Sequence, residues 1–335
     1  MGVVWRAWLF YAPTAIRPAD PPQPLALKVL RPQVADQPAM RAQFAGEADA
    51  LRALRHPNIV AFHDFFEWGG SLALAMELVT GSTLEGLISR HRARAREAGA
   101  SGRPGVPVAR AWYYFQQLLG ALAATHAMGI VHRDVKPANV LIRGDGIVKL
   151  SDYGVARLVQ AMPAAPPAVP ASSALAMSTA VGTGAYMSPE QVLQLPVDGR
   201  SDLYSAAIVF YEMLAGRPPF SSDEKDELTL RQDQVETGPP PLRTFVPDAP
   251  PSLEEALARA LAKNPRYRFA SALELGNALR VALGERDTPE WRAQGEIADQ
   301  AAVLREPSGR GAREAKLRTL QEFVVNGYRA SNPVR

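Results

Sequence analysis

The sequence contains no cysteine, which excludes a disulfide framework, a thiolate metal site and a cysteine nucleophile. It also lacks any apolar run near the ~18 residues that a membrane span needs. The opening stretch Val3-Val4-Trp5-Arg6-Ala7-Trp8-Leu9-Phe10-Tyr11 does not read as a secretory signal, because no cationic segment precedes it and Arg6 interrupts it. A strand fits its β-branched and aromatic residues better. Charge of one sign is missing too. The net charge is +3, and arginines are interleaved with acidic residues instead of forming a basic block, so nucleic acid is not an expected partner. These absences permit a reducing compartment, and the expectation is a cytoplasmic protein without a membrane span.

The chain has 335 residues, which suggests two units of ~150 residues each. Its 47% hydrophobic and 21% charged content is that of a globular protein with sizeable cores. The most informative stretch is His132-Arg133-Asp134-Val135-Lys136-Pro137-Ala138-Asn139. Here a carboxylate, a cation two residues on and a carboxamide three residues further share one short loop. Downstream, Val140-Leu141-Ile142, a turn at Gly144-Asp145-Gly146 and Ile147 to Leu150 read as a hairpin that delivers Asp152-Tyr153-Gly154. Upstream, Leu25 to Leu30 reads as a strand carrying Lys28. Met40, Phe44, Ala48 and Leu51 then recur at helical spacing around Glu47.

In this order the motifs resemble those of the bacterial eukaryotic-like serine/threonine protein kinases. The resemblance implies an α+β, two-lobed protein kinase fold: a small antiparallel sheet lobe with one key helix, and a larger, mainly helical lobe. It places the small lobe at 1–79, the large lobe at 80–283 and a helical tail at 284–335. The tail is expected to dock on the kinase, form a homodimer or bind a partner. Phosphoryl transfer asks chiefly for positioning and charge neutralisation. Asp134 can orient an attacking hydroxyl and accept its proton, Lys136 can face the γ-phosphate, and Asn139 and Asp152 offer oxygen ligands to a hard cation. The implied cofactors are ATP and Mg²⁺, with Mn²⁺ as the alternative cation, and the implied partners are protein substrates.

The resemblance assigns further roles. Lys28 is the phosphate anchor, held by Glu47. Gly2, Val4, Ala26 and Leu141 join the nucleotide-binding set, with Met76 at the back of the adenine pocket and the Glu77 to Val79 backbone at its edge. Arg133 is the cation that receives an activation-segment phosphate, and Ser178 and Thr179 are the candidate phosphosites. Thr183 is expected to bond Asp134 and Lys136, and Glu190 to pair with Arg268. Asp202 is expected to hold the catalytic-loop backbone from a helix spanning Ser201 to Ala215.

Three readings remain to be compared with the fold. Residues 91–108, rich in arginine and alanine and then in glycine and proline, read as a solvated loop after the first large-lobe helix. Only Gly2 and Val4 of the family's glycine-rich loop are present, so Met1 is expected to be an internal methionine. The family's first strand lies between the second and third, so its absence is expected to leave the strand at residues 3–11 without its usual neighbour and ATP affinity reduced. Apart from an active kinase, the residues also allow a pseudokinase-like scaffold that binds partners, or a small-molecule kinase. Thr183 and Ser188-Pro189-Glu190, which build a peptide shelf in the resembling family, argue against the last.

Overall fold

The computed structural model describes residues 3–9, 23–29, 54–68, 71–99, 104–153, 183–220 and 226–285. The smaller lobe is a four-stranded antiparallel sheet of β1 (Val3–Leu9), β2 (Gln23–Val29), β3 (Phe62–Trp68) and β4 (Ser71–Glu77), in the order β1-β2-β4-β3. Strand β2 pairs on one side with β1, Val4 opposite Lys28, and on the other with β4, where Ala26 faces Met76 and Lys28 faces Leu74. The strand expected to be without its usual neighbour pairs directly with β2 instead. Seven consecutive residues of β1 pair with β2. Alternate positions Leu25 and Leu27 of β2 are buried with Phe66, Ala73 and Ala75 in a small core of their own, the period-2 pattern of a sheet face turned inward.

The larger lobe is helical. A short sheet of β5 (Gly81–Thr83), β6 (Val140–Arg143) and β7 (Val148–Leu150) lies beside helices α1 (Leu84–Glu97), α2 (Val108–Ala127), α3 (Pro189–Val192), α4 (Gly199–Ala215), α5 (Glu227–Glu236), α6 (Pro251–Ala260) and α7 (Ala272–Ala282). At the centre is α4, buried at every residue from Ser201 to Ala215, its polar side chains Ser201, Asp202, Ser205 and Glu212 each hydrogen-bonded. It starts at Asp198, whose side chain accepts the Arg200 N–H, and stops at Gly216 in the left-handed conformation with φ 75°, a stop suited to glycine followed by prolines. Phe210 stacks on Phe115 of α2, with ring centroids 4.4 Å apart.

The reading of 91–108 as loop is also corrected. Helix α1 continues to Glu97 and buries Ala95. Pro104 to Val106 then docks on the end of α4, where Val106 N–H donates to Met213 O at 2.6 Å. A Cβ on Gly105 would lie 1.8 Å from Leu214 O, so only glycine fits this approach. No helix of the described residues is long and apolar enough to cross a membrane. The segment around Glu47 read as helical, the activation segment expected at 155–181 and the tail from 286 lie outside the described residues.

Candidate active site

The loop from His132 to Asn139 hangs on one buried carboxylate. Asp202, from the first turn of α4, accepts the backbone N–H groups of His132 (2.8 Å) and Arg133 (2.7 Å), and the Nε2–H of His126 (2.8 Å). Burial alone would raise the Asp202 carboxyl, but the bond from His126 and the charges around it hold it below the usual carboxylate range. These bonds support Arg133 in the left-handed region at φ 66°, a conformation costing about 1–3 kcal/mol for a residue with a Cβ. On the other side of Arg133, its carbonyl accepts from Gln191 Nε2 at 2.8 Å, and Gln191 Oε1 accepts the Ser188 N–H. One side chain at the start of α3 therefore ties the segment around Ser188 to the loop.

Within the loop the three candidate groups meet. Lys136 Nζ lies 3.2 and 2.9 Å from the two carboxylate oxygens of Asp134. Asn139 Nδ2 donates to Asp134 Oδ2 at 2.9 Å and to its backbone carbonyl at 2.8 Å. Asp134 is thus oriented by two partners and remains partly exposed. Because both hydrogens of the Asn139 amide point to Asp134, its oxygen is the atom left for a cation.

Lys28, next to the end of β2, is joined directly to Asp152 Oδ1. Asp152 is left-handed, with φ 59°. His132, wholly buried, donates Nε2–H to Ser151 O at 2.9 Å and accepts the Asp134 N–H on Nδ1. Burial pushes its pKa down despite the carboxylates nearby, consistent with a neutral ring serving as donor on one side and acceptor on the other. Beside this pair a cavity is lined by Lys28, Phe62, Leu74, Met76, Asp152 and Tyr153. Ala26 is buried and Leu141 is half-buried on β6. Glu77 ends β4, and Val79 lies in the linker before β5.

The other residues singled out from the sequence divide clearly. Glu190 and Arg268 meet as a bidentate buried pair, at 2.7 and 2.8 Å. Val4 is paired in β1, and Thr183 opens the single-turn helix Thr183–Tyr186. Gly2, Glu47, Ser178 and Thr179 lie outside the described residues.

Several contacts escaped the sequence. Lys149 of β7 bonds Glu77 Oε2 at 2.8 Å, and that oxygen also accepts the Ala61 N–H. The side chain of Asn58 bridges Gln117 of α2 and the Val148 carbonyl. Tyr186 donates to Glu212 at 2.6 Å, and Gln234 Nε2 donates to Ala185 O. These partners are 16 to 90 residues apart in sequence, and short-range patterns carry no trace of them. His126, six residues before His132 at the end of α2, was the one detectable signal: an ionisable residue closing an apolar helix.

A divalent cation suits this donor set. The carboxylate of Asp152 and the carboxamide of Asn139 come from neighbouring stretches, Ser151 being bonded to Asn139 O, and Mg²⁺ is usually held by one or two such groups with phosphates and water completing its shell.

A family model described as "Protein kinase domain" matches residues 16–277. The serine/threonine-protein kinase PknL of Mycobacterium tuberculosis is 36% identical over 271 residues, covering 81% of this chain and 62% of PknL. PknA of the same species, also described as a serine/threonine-protein kinase, is 33% identical over 296 residues, covering 87% of this chain and 62% of PknA. The chain thus spans about three fifths of the length of these relatives. Among solved structures, the kinase domain of M. tuberculosis PknI matches with a TM-score of 0.57 at 29% identity, covering 78% of this chain and 86% of that one.

Proposed function

The chain belongs to the protein kinase family, and from that premise we propose that it transfers the γ-phosphate of ATP to serine and threonine hydroxyls of proteins. The observation that carries this reading is the Asp134 carboxylate. It is fixed by Lys136 and Asn139 on a loop whose backbone is anchored to Asp202.

Asp134 orients the attacking hydroxyl and takes its proton as the oxygen–phosphorus bond forms. Lys136 presents a cation to the transferring phosphoryl group, and Lys28 presents one to the remaining phosphates. Asn139 and Asp152 would hold Mg²⁺, which neutralises phosphate charge when bound, with Mn²⁺ as the substitute. Adenine is assigned to the backbone of Glu77 to Val79 with Ala26 and Leu141, the phosphates to Val4 and Gly2 as well as Lys28, and Glu47 is assigned as the partner of Lys28. The cytoplasm, which supplies ATP, is the compartment assigned to this activity.

Protein substrates fit the support given to the segment from Thr183. Ser205 Oγ donates to Tyr186 O at 2.7 Å, Gln234 holds Ala185 O, and Glu190, Ser201 and Arg268 lock the start of α3. Such buttressing gives a rigid shelf on which a peptide can lie. Thr183 is assigned to Asp134 and Lys136. Ser178 and Thr179 are assigned as autophosphorylation sites whose phosphate Arg133 receives, and the tail beyond 284 as a docking or dimerising element.

The test is transfer of labelled phosphate from Mg·ATP to a generic protein substrate by the full chain. Asp134→Asn should lower kcat by about 10²–10⁴-fold, the range for a positioned general base. Equal rates for the two proteins, or no transfer by the unaltered chain, would end the proposal.

A further inference from the structure

Tyr153 follows the carboxylate assigned to the cation, and its ring carries a hydroxyl in a buried setting. The hydroxyl lies 2.8 Å from Thr125 Oγ1, and Thr125, in the last turn of α2, is completely buried. The direction of the bond follows from its neighbours. The single hydroxyl hydrogen of Thr125 goes to Ala121 O, 2.7 Å away, so Tyr153 is the donor and Thr125 the acceptor. Burial pushes the Tyr153 hydroxyl well above its ordinary pKa, so the donor keeps its proton throughout the working pH range. The ring of Tyr153 lies against the imidazole of His132, with centroids 4.6 Å apart and planes tilted by 54°.

The residue on the other side of Asp152 is held as firmly. Ser151 N–H and Oγ both donate to Asn139 O, at 2.9 and 3.0 Å, and Ser151 O accepts from His132. Asp152 itself is left-handed, a conformation that persists only when its surroundings over-determine it. The chain on one side is fastened by Ser151. On the other side the polar fastening comes from the Tyr153 hydroxyl.

We propose that Tyr153 is a positioning residue whose hydroxyl bond to Thr125 holds Asp152 in the cleft, in the backbone geometry that meets Lys28 and a phosphate-bound divalent cation. The inference rests on the kinase reading for its consequence in catalysis, though not for the latch itself.

The two halves of the bond are not equivalent. Tyr153→Phe removes the donor and leaves Thr125 satisfied by Ala121 O, so the fold loses only the net worth of one hydrogen bond while the latch disappears. Thr125→Val strands the Tyr153 hydroxyl in an apolar site, which lowers stability as well. Thr125→Ser keeps the acceptor. A net hydrogen bond of the usual strength corresponds to a change of about 2–12-fold in the ratio of latched to unlatched segment.

The experiment combines two measurements on the full chain and these variants. One is backbone hydrogen exchange of the segment from Leu150 to Tyr153, which reads local opening directly. The other is the free Mg²⁺ concentration giving half-maximal phosphate transfer. Tyr153→Phe should speed exchange of the Ser151 amide and raise the half-maximal Mg²⁺, each by about 2–12-fold, with a melting temperature lowered by no more than a few degrees and kcat recovering at high Mg²⁺. Thr125→Ser should behave as the unaltered chain. Tyr153→Phe combined with Thr125→Val should open no more than Thr125→Val alone, since one bond is lost once. Unchanged exchange in Tyr153→Phe would overturn the proposal, as would faster exchange with unchanged Mg²⁺ dependence in an active enzyme. If the unaltered chain transfers no phosphate, the kinase reading fails separately, and exchange alone decides the latch.

Discussion

Replacement of Arg268 by alanine should be among the most destabilising single changes in the large lobe. Its side chain is 0% exposed and that of Glu190 is 5% exposed. The guanidinium serves both Glu190 oxygens and the carbonyls of Ala262, Arg200 and Lys263, at 2.7, 3.1 and 2.9 Å. Burial would by itself raise the Glu190 carboxyl, but bonds from Arg268 and Ser201 outweigh it and hold the pKa below the usual range. Arg268→Ala leaves that carboxylate charged and unpaired in a dry site, at a cost of about 3–5 kcal/mol. Glu190→Gln retains an acceptor and should cost about 1.5–3 kcal/mol, the worth of a hydrogen bond to a charged group.

The sharper comparison uses methionine, which approximates the volume of both side chains. Arg268→Met alone strands the carboxylate, whereas Glu190→Met with Arg268→Met removes it. The double variant should therefore be the more stable of the two, though still below the unaltered chain because three carbonyls lose a donor. Urea midpoints followed by far-ultraviolet circular dichroism measure each difference. A loss below about 1 kcal/mol in Arg268→Ala, or a double variant no better than Arg268→Met, would refute the argument that an unpaired buried charge sets the scale.

Two further outcomes follow from other buried groups. The pKa of His56 is lowered from 6.5 to about 4 by burial and by the Lys149 cation, and its Nδ1 accepts the Asn58 N–H. The folded state therefore favours the neutral ring, and the stability this gives is complete above pH 6.5 and lost as pH falls toward 4. Between pH 7.5 and 5 the loss should be about 2 kcal/mol, and His56→Gln should flatten the pH dependence of the urea midpoint by that amount; an unchanged slope would contradict the assignment. Asp202→Asn should lower kcat at least ~10-fold while leaving KM for ATP nearly unchanged. It weakens the support of the His132 and Arg133 amides without touching the strand that bears Lys28, and steady-state kinetics with KM rising as much as kcat falls would count against that separation.

The candidate chemistry was legible because it is local. Asp134, Lys136 and Asn139 fall within one loop, and their mutual bonds span two to five residues. Turn chemistry was equally legible: Gly146 at φ 88° and Gly216 at φ 75° stand where the hairpin turn and the helix stop were read. The stretch after residue 90 was misread because the glycines and prolines from Gly99 onward dominated it. Alanine and arginine are among the better helix formers, and the buried positions Leu84, Leu87, Ile88 and Ala95 keep the stripe of α1. The pairing of β1 with β2 was missed for another reason: strand order depends on non-local pairing that periodicity does not encode. Thr125 could not be matched to Tyr153 in advance, since the two are 28 residues apart and a threonine near a helix end has many uses.

The segment from Leu54 to Val60 precedes β3, yet Leu54 and Ile59 are packed into the core of the large lobe. Ile59 forms a parallel bridge with Leu150, and the bonds Leu150 N–H to Asn58 O and Val60 N–H to Leu150 O close it on both sides. Among the described residues the backbone therefore tethers the small sheet twice, once through the Val79 linker and once through this bracket, while the Lys28–Asp152 and Lys149–Glu77 ion pairs bridge the lobes through side chains. A body whose backbone is held at two points has one easy axis of rotation, the line through them, once such side-chain bonds release. Opening of the cleft should thus resemble the swing of a page on its spine, and shearing or twisting of one half over the other should be resisted.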